Sequence, residues 1–193
     1  MKTHARVVVI GGGVVGCSVL YHLTKLGWSD VMLIERSDLT SGSTWHAAGG
    51  FHTLNGDTNM AALQGYTIRL YKELEEITGM SCGLHHVGGI TLADNPERFA
   101  QLQAERAKHR YMGLDTEILG PDGHLDPSGT THAYAKAARM GGAEIVLHNR
   151  VLETRPTSEG WDVVTEKGTV TCEHLVNAAG LWAREVGAMA GVY

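Results

Sequence analysis

Val7-Val8-Val9-Ile10-Gly11-Gly12-Gly13-Val14-Val15-Gly16 is the stretch on which the fold turns. Val7 to Ile10 is wholly apolar and β-branched, as expected of a central strand buried on both faces of a parallel sheet. Glycines break the strand. Beyond them Cys17, Leu20, Leu23 and Leu26 recur at helical spacing until Gly27 stops the helix. Val31-Met32-Leu33-Ile34 is a second apolar strand, ending at Glu35. Residues 7–35 therefore read as a β-α-β unit with parallel strands and a right-handed crossover.

Within that unit each glycine has its own task. Gly11 permits the sharp strand-to-helix turn, Gly13 leaves room for a pyrophosphate against the backbone, and Gly16 lets the helix pack closely on the strand. The helix opens at Val14 and Val15, where free N–H groups face the phosphates. Glu35 ends the second strand, about twenty residues on, where a carboxylate binds a ribose hydroxyl pair. The same residues also read as a Gly-rich turn with a helix-capping Glu, but their context favours a dinucleotide site. The pattern does not say which dinucleotide.

Residues 37–59 are a loop rich in Ser, Thr, Gly and His. Ala61 to Glu76 is a predicted helix, with Leu63, Ile68, Leu70, Leu74 and Ile77 among its apolar positions and Gly79 at its end. Gly88 to Ala93 is a predicted strand, and Pro96 to Arg110 a polar helix with Phe99 and Leu102 as its apolar contacts. Asp126-Pro127 is an N-cap followed by proline, opening a helix that runs to Met140 and stops at Gly141-Gly142. Glu144 to Leu147 is a short strand. Trp161 to Thr165 and Thr169 to Thr171 flank a hairpin turn at Glu166-Lys167-Gly168, and Leu175 to Ala178 is one more short strand before a last helix. The fold class is α/β, a Rossmann-like domain with a parallel sheet and a β-hairpin or meander crossover.

Leu39-Thr40-Ser41-Gly42-Ser43-Thr44-Trp45-His46-Ala47-Ala48-Gly49-Gly50 follows the second strand. This segment resembles the flavin loop of the dimethylglycine and sarcosine dehydrogenase family, within the wider D-amino-acid-oxidase-like flavoproteins. The resemblance implies FAD as cofactor, with His46 bonded covalently to the 8α carbon of the flavin and Ser43 and Thr44 as donors to phosphates or ring. Taken alone, His46 reads as an ordinary loop histidine. Val14, Val15 and Arg36 belong to the same cofactor-binding segments. Asp122 to Pro127 resembles the family segment that opens the next long helix, and Val151 the position where a backbone valine meets the adenine. Asn177-Ala178-Ala179-Gly180-Leu181-Trp182 resembles the late flavin motif, in which small residues allow close cofactor approach. Val151 reads equally as core packing, and Ala178-Ala179-Gly180 as a tight strand-helix turn. The implied activity is oxidative demethylation of an N-methylated amino acid such as dimethylglycine or sarcosine. An amino-acid oxidase with non-covalent FAD and a non-catalytic regulatory relative are the alternatives.

Two departures from the family stand out. Only Gly120-Pro121 separates Glu117-Ile118-Leu119 from Asp122-Gly123-His124, where relatives carry a longer stretch with strand structure, so a deletion is expected. The chain also ends at Gly191-Val192-Tyr193, before the family's catalytic strand and most of its substrate domain. Residues 1–193 therefore read as an incomplete FAD-binding domain, with 80–120 a partial substrate-domain insertion and the substrate domain mostly missing. No catalytic base is identified, and the chain by itself is expected to turn over little.

Composition bounds the remaining possibilities. With 43% hydrophobic and 19% charged residues the chain is globular, and its net charge of −5 argues against a nucleic-acid or anionic-membrane surface. Val7 to Tyr21 imitates the apolar core of a signal peptide but lacks a cleavage site, and it is too short and Gly-rich for a membrane span. Cys17, Cys82 and Cys172 are scattered thiols, which fits a reducing, cytoplasmic setting. The eleven histidines, including adjacent His85-His86, form no metal-binding pattern. Trp45, Trp161, Trp182, His132 and Tyr134 read as packing residues.

Overall fold

β1 (His4–Ile10) lies inside the main sheet, and α1 (Val14–Lys25) returns the chain so that β2 (Val31–Ile34) runs parallel to it, Val7 opposite Val31 and Ile10 opposite Ile34. A 3-10 turn (Ser43–His46) follows, then β3 (Gly50–Phe51), α2 (Thr58–Thr78), α3 (Pro96–Tyr111), β4 (Gly123–His124), α4 (Pro127–Met140) and β5 (Glu144–Val146). β6 (Val151–Thr157), β7 (Gly160–Thr165) and β8 (Gly168–Asn177) form a meander, and a second 3-10 turn (Gly180–Trp182) leads into α5 (Ala183–Met189). The protein is seen here as a computed structural model that describes residues 1–52, 55, 57–87, 91–111 and 123–192.

The main sheet has the order β5-β2-β1-β8-β7-β6. β5, β2, β1 and β8 are parallel, and the β6-β7-β8 ladder is antiparallel. β8 is thus shared, and its pairing with β1 fuses the meander to the parallel half. The two-residue period of a strand explains how one apolar run serves two cores. Val7, Val9, Val31 and Leu33 face a cluster containing Leu20 and Cys17 of α1, Leu70 and Leu74 of α2, and Ala133 to Ala135 of α4. Val8, Ile10, Met32 and Ile34 face the opposite way, packing with Val151, Val163, Val170 and Cys172 of the meander and Val186 of α5. Burying each such Val, Leu or Ile stabilises the fold by about 1.5–3 kcal/mol.

The helix ends follow local chemistry. Asp57 caps α2 by accepting from the Met60 N–H at 2.9 Å, and Gly79 closes it in the left-handed region at φ +63°. Asp126 caps α4 by accepting from the Ser128 N–H at 2.9 Å, with Pro127 in the first turn.

Several expectations need correction. Leu175 to Asn177 is not a separate strand: it continues the ten-residue β8, because the same segment pairs with β7 at one end and β1 along its length. β6 escaped the sequence reading because it is an edge strand, with Pro156 inside it and only Val151 and Thr154 buried. The stretch 37–59 is not all loop, since it holds the Ser43–His46 turn, β3 and the start of α2. Leu63 and Ile77 are exposed rather than core-facing, and so is Phe99 on α3, a helix without buried residues. Of the strand expected at 88–93, residues 91–93 are not in a strand and 88–90 lie outside the described residues, as do 112–122 with the expected deletion. Among the described residues no helix is long and apolar enough to cross a membrane.

Candidate functional site

The C-terminal ends of β1, β2 and β8 meet at one edge of the sheet, the place where open α/β sheets form ligand crevices. Gly11 leaves β1 at φ +115°, a conformation that L side chains rarely adopt, and its N–H donates to the Ile34 carbonyl at 3.0 Å. A Cβ on Gly11 would run into the Ala178 carbonyl, and one on Gly16 into the Gly11 carbonyl. The turn and the first helical turn are therefore packed backbone against backbone. Gly13 has a different surrounding: its Cβ would meet only the Thr44 Oγ1, at 3.0 Å.

Gly12 is a site residue that sequence reasoning missed, because it occupies an unspecified position of the pattern. A Cβ there would fall 2.8 Å from Leu39 Cδ2 and 2.9 Å from Glu35 Cγ. Its N–H donates to Glu35 Oε2 at 2.6 Å, while Ser37 N–H donates to Glu35 Oε1 at 2.8 Å. Both carboxylate oxygens are thus fixed, each with further lone-pair capacity. The Glu35 backbone is tied down as well, its N–H to the Val146 carbonyl at 2.9 Å and its carbonyl accepting from Asn149 at 3.0 Å. The loop after β2 folds back over the turn: Thr40, at φ +70°, donates its N–H to the Gly12 carbonyl at 3.0 Å. A non-glycine residue held in the left-handed region costs on the order of 1–3 kcal/mol and persists only where its surroundings impose it.

The Ser43–His46 turn sits against the start of α1. Thr44 Oγ1 accepts from the Val14 N–H at 3.0 Å, while the N-cap position itself is Gly13, which has no side chain to cap with. Contrary to the sequence expectation the Val14 N–H is therefore not free, and the N–H groups of Gly13 and Val15 on either side of it are the ones placed to meet a phosphate. Val15, also in this first turn, is largely exposed, and Ser43 is exposed at the start of the 3-10 turn. His46 is exposed, its ring centroid 3.8 Å from that of Trp45. Its Nδ1–H donates to the Gly42 carbonyl at 3.3 Å. Because a carbonyl only accepts, this bond in the neutral ring places the lone pair on Nε2.

On the β8 side, Ala178 N–H donates to the Ile10 carbonyl at 2.9 Å and Ala179 N–H to Asn177 Oδ1 at 3.2 Å. Gly180 turns the chain at φ +57° into the Gly180–Trp182 turn. Arg36, next to Glu35, places its guanidinium 3.6 Å from the Trp182 ring centroid. Val151 stands apart: its side chain is buried in the second core cluster, opposite Thr165. Trp45 is exposed rather than packed. Cys17, under the turn, donates its Sγ–H to the Gly12 carbonyl at 3.8 Å, and burial pushes its thiol up to about 12, so it stays protonated. Among the described residues no group of three or more His, Cys, Asp or Glu could hold a metal ion. Glycines that leave space, a helix start with glycine at its N-cap and an acid held by two amides together fit a dinucleotide cofactor.

Residues 6–193 match the family described as FAD dependent oxidoreductase. The chain is 39% identical to "Dimethylglycine dehydrogenase, mitochondrial" of Rattus norvegicus, over 99% of this chain and 25% of that protein. To "Sarcosine dehydrogenase, mitochondrial" of Homo sapiens it is 35% identical, over 100% of this chain and 24% of the relative. It therefore spans about a quarter of the length of these curated relatives. The alignment with the rat protein extends over 215 positions, more than the 193 residues present, so that relative carries internal residues this chain lacks. Among solved structures, L-proline dehydrogenase from P. horikoshii superposes with a TM-score of 0.86 at 26% identity, covering 100% of this chain and 57% of that one. Sequence likeness over the whole chain and the shared fold lead to one assignment: this chain belongs to the family of FAD-dependent oxidoreductases.

Proposed function

We propose that this chain binds FAD along the crevice above β1 and β2, as part of a flavoprotein that oxidises an N-methylated amino acid of the dimethylglycine or sarcosine kind. The observation that carries it is the Glu35 carboxylate, clamped by the Gly12 and Ser37 N–H groups beside the start of α1, where the N-cap is a glycine. The pyrophosphate lies on the N–H groups of Gly13 and Val15, on either side of the Val14 N–H that Thr44 holds, and Gly11 and Gly16 bring them within reach. The adenosine ribose is held by Glu35 through the lone pairs that its own clamp leaves, with Arg36 beside it and the Val151 backbone toward the adenine. Ser43, Thr44 and His46 line the flavin end, and Ala178, Ala179 and Gly180, with Trp182, allow close approach from β8.

When bound, FAD supplies the two-electron acceptor for oxidation of the substrate's C–N bond. The chain's share is binding and orientation. The His46 Nδ1–H bond to Gly42 leaves Nε2 as the nitrogen available for attachment at the flavin 8α position. Likeness to the dimethylglycine and sarcosine dehydrogenases supports the N-methyl substrate class.

Equilibrium titration of the purified chain with FAD and with NAD tests the cofactor, and NAD binding as tight as FAD binding would overturn it. For the full-length protein, acid precipitation should leave the yellow colour with the pellet, and His46→Ala should release it. Release from the unsubstituted protein would favour an amino-acid oxidase with non-covalent FAD. A flavin-loaded protein without any amine oxidation would favour a regulatory role.

A further inference from the structure

Arg36 follows β2 and Trp182 follows β8, and β1 with its glycine turn lies between those two strands. The guanidinium and the indole nonetheless meet, 3.6 Å apart, so their contact bridges the end of β1. The same indole reaches a third element: its Cζ3 lies 3.9 Å from where a Cβ on Gly42 would stand. Gly42 is the residue before the Ser43–His46 turn and accepts the His46 Nδ1–H at 3.3 Å. Arg36 in turn is the neighbour of Glu35, whose carboxylate holds Gly12. One exposed-edge aromatic ring therefore packs on the side chain beside the ribose acid and stands next to Gly42, which precedes the turn carrying His46. Hydrogen bonds hold the backbone that carries it: the Trp182 backbone N–H donates to the Ala179 carbonyl at 3.0 Å, and Asn177 Nδ2 donates to the carbonyl of the next residue, Ala183, at 2.7 Å.

We propose that Trp182 is a positioning residue: its ring, between the Arg36 guanidinium and Gly42, sets the distance between the adenosine end of the dinucleotide crevice and the turn that carries His46. The proposal rests on FAD being the ligand. A ligand that occupies only the adenosine end is indifferent to that distance, whereas one that spans both ends depends on it, since a misplacement of about 1 Å is enough to weaken binding or reaction. Trp182 therefore governs FAD binding without governing ADP binding.

Calorimetric titration with ADP and with FAD, on the purified cofactor-free protein, separates the two. Trp182→Ala weakens FAD by about tenfold or more and leaves ADP within about threefold, while Trp182→Phe, which keeps a ring for the guanidinium, stays near the parent for both. Trp182→Leu keeps an apolar side chain at the position but leaves no ring for the Arg36 guanidinium. It reproduces the selective loss of FAD even if Trp182→Ala folds poorly. Equal loss of FAD and ADP in both variants, or an effect of Trp182→Ala with none from Trp182→Leu, overturns the proposal. A parent protein that binds neither ligand removes the FAD assignment itself and the proposal with it.

Discussion

Replacing Glu35 by glutamine tests whether the acid at the end of β2 builds the site before any cofactor arrives. Its carboxylate accepts from Gly12 N–H at 2.6 Å and from Ser37 N–H at 2.8 Å. Hydrogen bonds to a charged acceptor contribute about 1.5–3 kcal/mol each when shielded. Glutamine keeps one oxygen, so one bond survives in weaker, neutral form, and the amide NH₂ now faces the other N–H donor. Glu35 is half-buried, which discounts the charge, and a net loss of about 2 kcal/mol is expected. In a domain of this size each kcal/mol moves the melting temperature by about 2–4 °C, so Glu35→Gln lowers it by about 4–8 °C. The assay is far-UV circular dichroism on the cofactor-free chain, where no ribose contact can contribute. A melting temperature equal to the parent's would refute the clamp of Glu35 on the Gly12 and Ser37 N–H groups. FAD affinity should fall as well, since the charge that attracts the ribose hydroxyls is gone.

Three further outcomes follow from the same geometry. Gly16→Ala drives a Cβ into the Gly11 carbonyl, so α1 must move off β1, and the urea midpoint should drop by the equivalent of about 1–3 kcal/mol together with FAD binding; a silent substitution would show that the helix does not pack as described. Asp126→Ala removes the acceptor for the Ser128 N–H and should cost about 1 kcal/mol, read as a small fall in melting temperature, whereas Asp126→Asn should be nearly neutral. Burial pushes the Cys17 thiol up to about 12 and those of Cys82 and Cys172 up to about 11. The thiolate is the reactive form, so at pH 8 a disulfide reagent should label the folded chain slowly and all three thiols only after unfolding; rapid labelling of the native protein would contradict their burial.

Much of the fold was legible because its signals are local. Val7 to Ile10 and Val31 to Ile34 are apolar at every position, which identifies strands buried on both faces. Gly79 and the Asp126-Pro127 pair mark helix ends by local conformation and hydrogen bonds within a few residues, whereas the Asp57 cap, four residues before the expected start at Ala61, went unread. β6 left no such mark, because an edge strand facing solvent needs neither an apolar face nor an uninterrupted donor row. The continuity of β8 was hidden for another reason. Its two ends pair with different neighbours, so its burial pattern changes along its length and imitates two short elements. The exposed Leu63, Ile77 and Phe99 show the limit of periodicity, which places residues on one face of a helix without saying that anything covers that face.

The site divides along the same line. By itself the amino-acid sequence determined which residues could serve a dinucleotide: Gly11, Gly13 and Gly16 by their spacing after a strand, Glu35 by its place at the end of the next one, and the Ser43 to His46 segment by its likeness to a flavin loop. Those assignments depend on backbone freedom and chain distance, which residue order states directly. Only the tertiary structure decided that Gly12 must lack a side chain because Glu35 and Leu39 fill that space. It alone showed that Thr44, thirty positions along, meets the Val14 N–H, and that the Val151 side chain belongs to the core. It also brought Arg36 and Trp182 together across β1. These are contacts between segments far apart in the chain, set by strand order and by how two cores share one sheet. No local pattern encodes such a distance, because it exists only once the sheet has closed around β1.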